Sequence, residues 1–121
     1  MKEQGTILVG DSNVAFRETL YNHLLASGKT DIYAPNSGAQ IRELLSTIPF
    51  DLILVELSLV LCHNLQTLLE SQHALYNNRI YLLISEEDER AENAIRKHRI
   101  KFPSVLKSQI MLALPHILQV H

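Results

Sequence analysis

The chain has 121 residues, 46% of them hydrophobic, and a formal net charge of −2 at pH 7. This length predicts one domain over residues 1–121 with a buried core, and the small negative charge argues against binding of nucleic acid or an anionic membrane surface. The sequence has no apolar run of transmembrane length, no signal-peptide pattern and one cysteine, Cys62, so we expect a cytoplasmic domain without an internal disulfide.

Predicted strands and helices alternate along the chain. Residues 6–9 predict the first strand, residues 11–13 offer N-cap side chains, and the helix that follows is expected to end at Gly28. Apolar residues spaced i, i+3, i+4 and i+7 from Ile41 to Ile48 predict the second helix. Further strands are predicted at 32–34, 52–55, 80–84 and 103–106, further helices at 65–74, 86–98 and 109–119, and an apolar loop at 57–62.

The fold class follows from the strand predicted in the middle of the chain. Four uninterrupted apolar residues, 52–55, are typical of a strand covered on both faces, as in a parallel sheet, and the run stops at Glu56. Five strands alternating with five helices predict a doubly wound α/β sheet. Pro103 lacks a backbone N–H, so the last strand should lie at an edge with Pro103 near its start.

Polar residues follow four of the predicted strands. Asp11 comes directly after the first strand, whereas Glu56, Ser85 and Lys107 follow the third, fourth and fifth. Ligands of open α/β sheets bind outside the carboxyl ends of the strands. These four side chains therefore form the candidate functional site.

The order of these residues resembles the receiver domain of two-component response regulators, and the resemblance covers essentially the whole chain. It implies a flavodoxin-like topology with five parallel strands in the order 2-1-3-4-5. It also implies an acidic pair after the first strand, a phosphoacceptor aspartate after the third, a hydroxyl after the fourth and a lysine after the fifth. Asp11, Ser85 and Lys107 match three of these positions.

Several positions depart from the family pattern, including Ser108, where the family usually has proline. Gly10 replaces the first acid, Glu56 replaces the phosphoacceptor aspartate, and Ser104 stands where the family has the aromatic residue of its switch. Glutamate is longer than aspartate by one bond, about 1.5 Å, and a misplacement of about 1 Å can cost about a hundredfold in rate. We therefore expect poor or absent phosphorylation, no required cofactor, and at most weak Mg²⁺ binding by Asp11 and Glu56.

The resemblance implies a signalling module and not an enzyme. We expect a pseudo-receiver in which Glu56 imitates a phosphorylated aspartate, pairs with Lys107 and accepts a hydrogen bond from Ser85. The imitation is partial, because a carboxylate carries one negative charge where a phosphoryl group carries about −1.5 to −2. The expected partner is a histidine kinase or a downstream signalling protein.

The predicted last helix has more apolar residues than one buried face needs. Met111, Leu112 and Leu118 have no obvious place in the core, which predicts a homodimer or a docking surface on the last strand and the last two helices. The alternative is that Pro115 distorts this helix and allows both of its sides to pack.

Two other interpretations remain open from the sequence. Glu56 alone is consistent with a solvated charge at the end of a strand. Residues 10–12 also resemble the nucleophile block of GDS-type serine hydrolases, in which Ser12 would attack an acyl group. Such an enzyme needs an Asp-x-x-His pair, and no aspartate lies three residues before His116 or His121.

Overall fold

The computed structural model describes residues 5–85 and 89–119, and no helix among them is long and apolar enough to cross a membrane. The first three residues of the helix predicted at 86–98 lie outside these ranges. The strands are β1 (Ile7–Gly10), β2 (Ile32–Tyr33), β3 (Leu52–Glu56), β4 (Arg79–Ile84) and β5 (Ser104–Leu106). The helices are α1 (Val14–Ala26), α2 (Gly38–Thr47), α3 (Leu57–Cys62), α4 (Gln66–Tyr76), α5 (Glu89–Lys97) and α6 (Ile110–Ile117), with a 3-10 turn at Lys107–Gln109.

The strands form one parallel sheet in the order β2-β1-β3-β4-β5, as predicted. The central strand β3 is buried along its whole length. Ile53 and Val55 pack with the layer that contains α2 to α5, whereas Leu52 and Leu54 pack with α1 and α6 on the other side. Burial on both faces explains why this strand is apolar without alternation.

Both edges of the sheet are short strands. At one edge, β5 begins directly after Pro103, whose carbonyl oxygen accepts a hydrogen bond from the backbone N–H of Leu82 at 2.8 Å. The predicted position of Pro103 at the start of an edge strand is therefore confirmed. The opposite edge is β2, which pairs with β1 through Ile32 and Tyr33.

The prediction of a loop at residues 57–62 is wrong, because these residues form the helix α3. Leu57 and Val60 are its buried residues, and they lie three positions apart, on the same side of a helix. The stretch is apolar at every position except Ser58, so the helical period is hidden in the sequence. The site residue Glu56 is consequently followed at once by a helix.

The last helix, α6, buries more of its surface than the sequence predicts. Met111 and Leu118 are half-buried against the core layer of α1 and α6, so the prediction that they lack a core position is wrong. Pro115 lies inside the helix, as the alternative interpretation requires. Only Leu112 of the predicted surface group is strongly exposed, at 81%.

Candidate functional site

The parallel pairing of β1 and β3 places two carboxylates side by side. Gly10 pairs with Val55, so Asp11 and Glu56, the residues that follow them, stand at the same level of the sheet. Both acids are buried, Asp11 to 2% exposure and Glu56 to 9%. Two neighbouring buried carboxylates require a cation or several hydrogen-bond donors, because each ionised group loses its hydration.

Lys107 supplies that cation. Its Nζ lies 2.8 Å from Glu56 Oε2 and 2.8 Å from Asp11 Oδ2, and it also donates to Asp11 Oδ1 at 3.0 Å. The Lys107 side chain is 14% exposed, so little water competes with these contacts. The predicted Glu56–Lys107 pair is therefore present, and Asp11 belongs to the same cluster.

Ser12 holds the other carboxylate oxygen of Glu56. The Ser12 hydroxyl donates to Glu56 Oε1 at 2.8 Å, and the Ser12 backbone N–H donates to the same oxygen at 3.1 Å. Because Lys107 donates to Oε2, both oxygens of Glu56 receive protein donors. These contacts fix the carboxylate in one orientation.

Ser85 does not donate the hydrogen bond that the sequence predicts for it. Glu56 lies opposite Leu83 in the register of β3 and β4, and Ser85 comes two residues later. A strand rises about 3.3 Å per residue, so Ser85 stands about 6–7 Å beyond Glu56 along the strands. No hydrogen bond joins these two described residues, and Ser12 provides the hydroxyl instead.

Asp11 is a member of the acidic cluster and not the N-cap of α1. Asn13 is the N-cap, since its side-chain oxygen accepts a hydrogen bond from the backbone N–H of Phe16 at 2.9 Å. The Asn13 N–H in turn donates to Asp11 Oδ1 at 2.8 Å, and the buried Arg17 donates through Nη1 to the Asp11 carbonyl at 2.8 Å. The start of α1 therefore fixes the position of Asp11.

The hydrogen bonds at the site favour the charged forms of its central pair. Burial raises the pKa of Glu56, but the hydrogen bonds from Lys107 and Ser12 outweigh it, so the pKa lies below its ordinary value. Burial lowers the pKa of Lys107, but hydrogen bonds to Asp11 and Glu56 outweigh it and the pKa lies above its ordinary value. Glu56 and Lys107 are consequently an ion pair at neutral pH.

Phe16 of α1 also contacts the ammonium. Lys107 Nζ lies 5.2 Å from the centroid of the Phe16 ring, within cation–π distance. Nothing in the sequence places Phe16 at the site, because its spacing in α1 is that of an ordinary core residue. The sequence predicts a helix N-cap or a nucleophile at Ser12 and not a donor to Glu56, although its position directly after Asp11 is a usable signal.

Two other positions of the family pattern lack their usual side chains. A Cβ atom at Gly10 would lie 2.9 Å from Ile41 Cδ1 and 3.3 Å from Val55 Cγ2, so apolar groups surround the place of the missing acid. Ser104 is exposed at the start of β5 and lines a cavity of about 390 Å³ between α5 and β5. None of the described residues that line this cavity is aromatic.

The residues present do not fit a resident Mg²⁺ ion. Asp11 and Glu56 are the predicted ligands, and both are already bound by the Lys107 ammonium. Among the described residues, no group of three or more His, Cys, Asp or Glu side chains could hold a metal ion. Weak Mg²⁺ binding by Asp11 and Glu56 stays a prediction.

The arrangement around Ser12 does not favour a serine hydrolase. A nucleophilic serine needs a general base that accepts its proton. The Ser12 hydroxyl donates to Glu56, whose lowered pKa makes it a weak base, and no described histidine is hydrogen-bonded to Ser12.

Comparison with known proteins identifies the fold. No family model and no curated relative matches the chain in sequence. A chemotaxis protein of Vibrio cholerae matches in structure with a TM-score of 0.71 at 14% identity, over 95% of this chain and 99% of that one. The signal receiver domain of an HD domain-containing protein from Pseudomonas fluorescens gives a TM-score of 0.68 at 23% identity, over 96% and 95% of the two chains.

A third structural neighbour is the receiver domain of a histidine kinase from Arabidopsis thaliana, solved as an Asp-to-Glu mutant. It gives a TM-score of 0.65 at 18% identity, over 93% of this chain and 88% of that domain. Two of these three neighbours are receiver domains, and this chain covers between 88% and 99% of each of the three. The chain therefore has the receiver fold, a flavodoxin-like α/β sheet with helices on both faces.

Proposed function

We propose that this chain is a pseudo-receiver, a signalling module that acts through contacts with other proteins and not by phosphoryl transfer. In this proposal the Glu56–Lys107 pair stands in for a phosphorylated aspartate. The observation that carries the proposal is the position of Lys107 Nζ, 2.8 Å from Glu56 Oε2 at the carboxyl edge of a receiver fold. The proposed partners are a histidine kinase or a downstream signalling protein of a two-component system, in the cytoplasm.

The length of Glu56 supports this role. Its carboxylate extends about 1.5 Å, one carbon–carbon bond, further from the backbone than an aspartate at the same position would. Its charge is fixed at neutral pH by Lys107 and Ser12, so the negative group is present without any phosphodonor. The module would therefore hold one signalling state constitutively.

The same contacts oppose phosphorylation of Glu56. Attack on a phosphodonor uses a lone pair of a carboxylate oxygen, and the hydrogen bonds that both oxygens of Glu56 accept make them weaker nucleophiles. A phosphoryl group bonded to either oxygen would disturb its contacts with Ser12 or Lys107. It would also bring more negative charge close to the buried Asp11.

The proposal includes a homodimer through β5, α5 and α6, with a smaller apolar contact than the sequence predicts. Of the three apolar residues predicted at this surface, Leu112 keeps a large exposed side chain, whereas Met111 and Leu118 pack internally. The expected contact is therefore small and centred on Leu112. Sedimentation of the wild type and of Leu112→Gln over a range of concentrations tests it, and a monomeric wild type would contradict it.

The proposed function is tested by comparing the wild type with Glu56→Gln and Glu56→Asp. After incubation with acetyl phosphate and Mg²⁺, intact mass should show no phosphoryl adduct on the wild type. A histidine kinase or downstream signalling protein that binds the wild type should bind Glu56→Gln more weakly, because the amide removes the charge that Lys107 balances. Equal affinity of all three proteins, or stoichiometric phosphorylation of the wild type at Glu56, would contradict the proposal.

A parallel assay separates this function from a hydrolase. Wild type and Ser12→Ala should hydrolyse an activated acyl ester at the same background rate. A Ser12-dependent rate would instead favour the enzymatic alternative.

A further inference from the structure

We propose that a basic turn at the end of α5 is a docking site for an acidic segment of a partner protein. The basic turn consists of Arg96, Lys97, Arg99 and Lys101, four cations within six residues of a chain whose net charge is −2. It lies at the amino end of the sheet, because α5 runs back across the sheet from β4 to β5. It is therefore separate from the Glu56–Lys107 pair at the carboxyl end.

The four cations of the basic turn form no ion pair with a carboxylate in the part of the chain that the structure describes. All four side chains are exposed. Within residues 5–85 and 89–119, the ion pairs are those of Lys107 with Asp11 and Glu56, so no described carboxylate lies within 4.0 Å of the four cations. Arg96 donates a hydrogen bond through Nη2 to the side-chain oxygen of Asn93, which carries no charge.

Arg99 has a left-handed backbone conformation, which glycine and asparagine adopt more easily than arginine does. Helix α5 ends in a Schellman motif, in which Ile100 N–H donates to Ile95 O at 2.9 Å and Arg99 N–H donates to Arg96 O at 3.1 Å. This motif places Arg99 at φ 54°, in the left-handed region, where a side chain with a Cβ costs free energy.

The chain uses residues suited to the left-handed region at the ends of three other helices. Gly28 follows α1 at φ 91°, Asn64 follows α3 at φ 55° and Asn77 follows α4 at φ 51°, and glycine and asparagine are the residues that tolerate this region best. An arginine after α5 therefore keeps a cation at a position that glycine would fill with less strain.

Helix-end electrostatics account for only part of the basic turn. Cations in the last turn of a helix are stabilised by its partial negative charge, which explains Arg96 and Lys97. The effect falls off within one turn, so it does not explain Lys101, which follows the buried Ile100. A ligand with several carboxylates would explain all four cations, because guanidinium groups bind carboxylates in a bidentate way.

An acidic peptide fits the basic turn better than an extended polyanion does. The turn covers six residues, whereas nucleic-acid interfaces commonly bury about 1,000–2,500 Å² of protein surface, or about 600–1,000 Å² for a single module. The sequence pI is about 6.3, so the rest of the chain is acidic and would repel a nucleic acid or an anionic membrane that extended beyond the turn. A short acidic segment can contact the cations alone.

A synthetic oligo-glutamate peptide is the probe for this proposal. Fluorescence anisotropy should detect binding to the full chain at low salt, with affinity falling as salt is added. Replacing all four cations by glutamine should weaken binding by about tenfold or more, the loss expected for a few charge-assisted hydrogen bonds. The control Arg42→Gln removes an exposed charge on α2 and should leave the affinity unchanged.

Arg99→Gly distinguishes a binding role from a structural one. Relief of backbone strain should raise the midpoint of thermal unfolding, while the lost cation should weaken peptide binding severalfold.

Two results would overturn the proposal. The first is a peptide affinity that does not change when the four cations are replaced by glutamine. The second is that duplex DNA or phosphatidylserine vesicles bind the chain more tightly than the peptide does. The peptide assay does not involve the Glu56–Lys107 pair at the carboxyl end of the sheet, so a negative result leaves the pseudo-receiver proposal intact.

Discussion

Lys107 contacts Asp11 as closely as it contacts Glu56, with Nζ 2.8 Å from Asp11 Oδ2 and 2.8 Å from Glu56 Oε2. One cation therefore balances two carboxylates that are both buried. The cluster as a whole keeps one net negative charge, and Asn13 and Ser12 supply the neutral donors that help to stabilise it. The stability of this end of the sheet should depend on Lys107 more than on either acid.

Lys107→Met should destabilise the fold strongly, because it leaves Asp11 and Glu56 facing each other without a cation. Breaking a buried pair by removal of one partner costs about 3–5 kcal/mol. Glu56→Gln should cost less, about 1–2 kcal/mol, because Lys107 keeps its contact with Asp11. The free energy of unfolding in urea measures both, and a smaller loss for Lys107→Met than for Glu56→Gln would contradict the geometry.

The contribution of Glu56 to stability should disappear in acid. Its pKa in the folded chain is below the ordinary 4.5, so the contribution is present above about pH 4.5 and is lost as the pH falls through the folded pKa. The pKa of Lys107 lies above the ordinary 10.5, so its contribution is present below that pH and is lost as the pH rises further.

Unfolding of the wild type and Glu56→Gln at several pH values tests this dependence. The difference in free energy between them should be constant from about pH 6 to 9 and shrink below about pH 4.5. A difference that persists unchanged in strong acid would exclude an ionic role for Glu56.

Gln72 should be a second stability determinant, at the opposite end of β3. The buried Gln72 amide donates to Leu45 O at 2.8 Å and Ile48 O at 2.6 Å, and its oxygen accepts from Phe50 N–H at 3.2 Å. Gln72→Leu leaves these backbone groups buried without partners, which should cost about 2–4 kcal/mol. The control Gln66→Leu removes two hydrogen bonds that are exposed to solvent. It should therefore lower the free energy of unfolding by less than about 1 kcal/mol.

Arg79 should stabilise the C-terminal end of α6. Its guanidinium donates through Nη1 to the carbonyl oxygen of Ile117, and to Gln119 O at 3.4 Å, where a helix end carries partial negative charge. Arg79→Met should lower the free energy of unfolding by about 1–2 kcal/mol, and Arg79→Lys should restore part of it. An unchanged thermal midpoint in Arg79→Met would show that this contact contributes nothing.

The sheet and the central ion pair could be predicted from the sequence for a simple physical reason. A strand buried on both faces is a continuous apolar run, and the run at 52–55 ends on a charge. Parallel strands bring their carboxyl ends to one edge, and the resemblance to receiver domains implies the strand order that places Glu56 near the lysine after β5. Neither inference required knowledge of side-chain packing.

The contacts that were missed depend on packing and on register. Residues 57–62 are nearly all apolar, so the sequence contains no period that separates a helix from a loop, and only burial of Leu57 and Val60 reveals α3. Ser12 and Ser85 both lie at the correct edge of the sheet. Their different roles follow from the register of β3 and β4, in which Glu56 lies opposite Leu83 and Ser85 comes two residues later. The sequence does not specify this register.

The pairing of Glu56 with Lys107 is tested most directly by a double-mutant cycle with Glu56→Gln, Lys107→Met and the double variant. The free energy of unfolding at neutral pH gives their coupling energy. The coupling energy should exceed about 1 kcal/mol, as for residues in one ionic network. Additivity within about 0.3–0.5 kcal/mol, the result expected for independent sites, would contradict it.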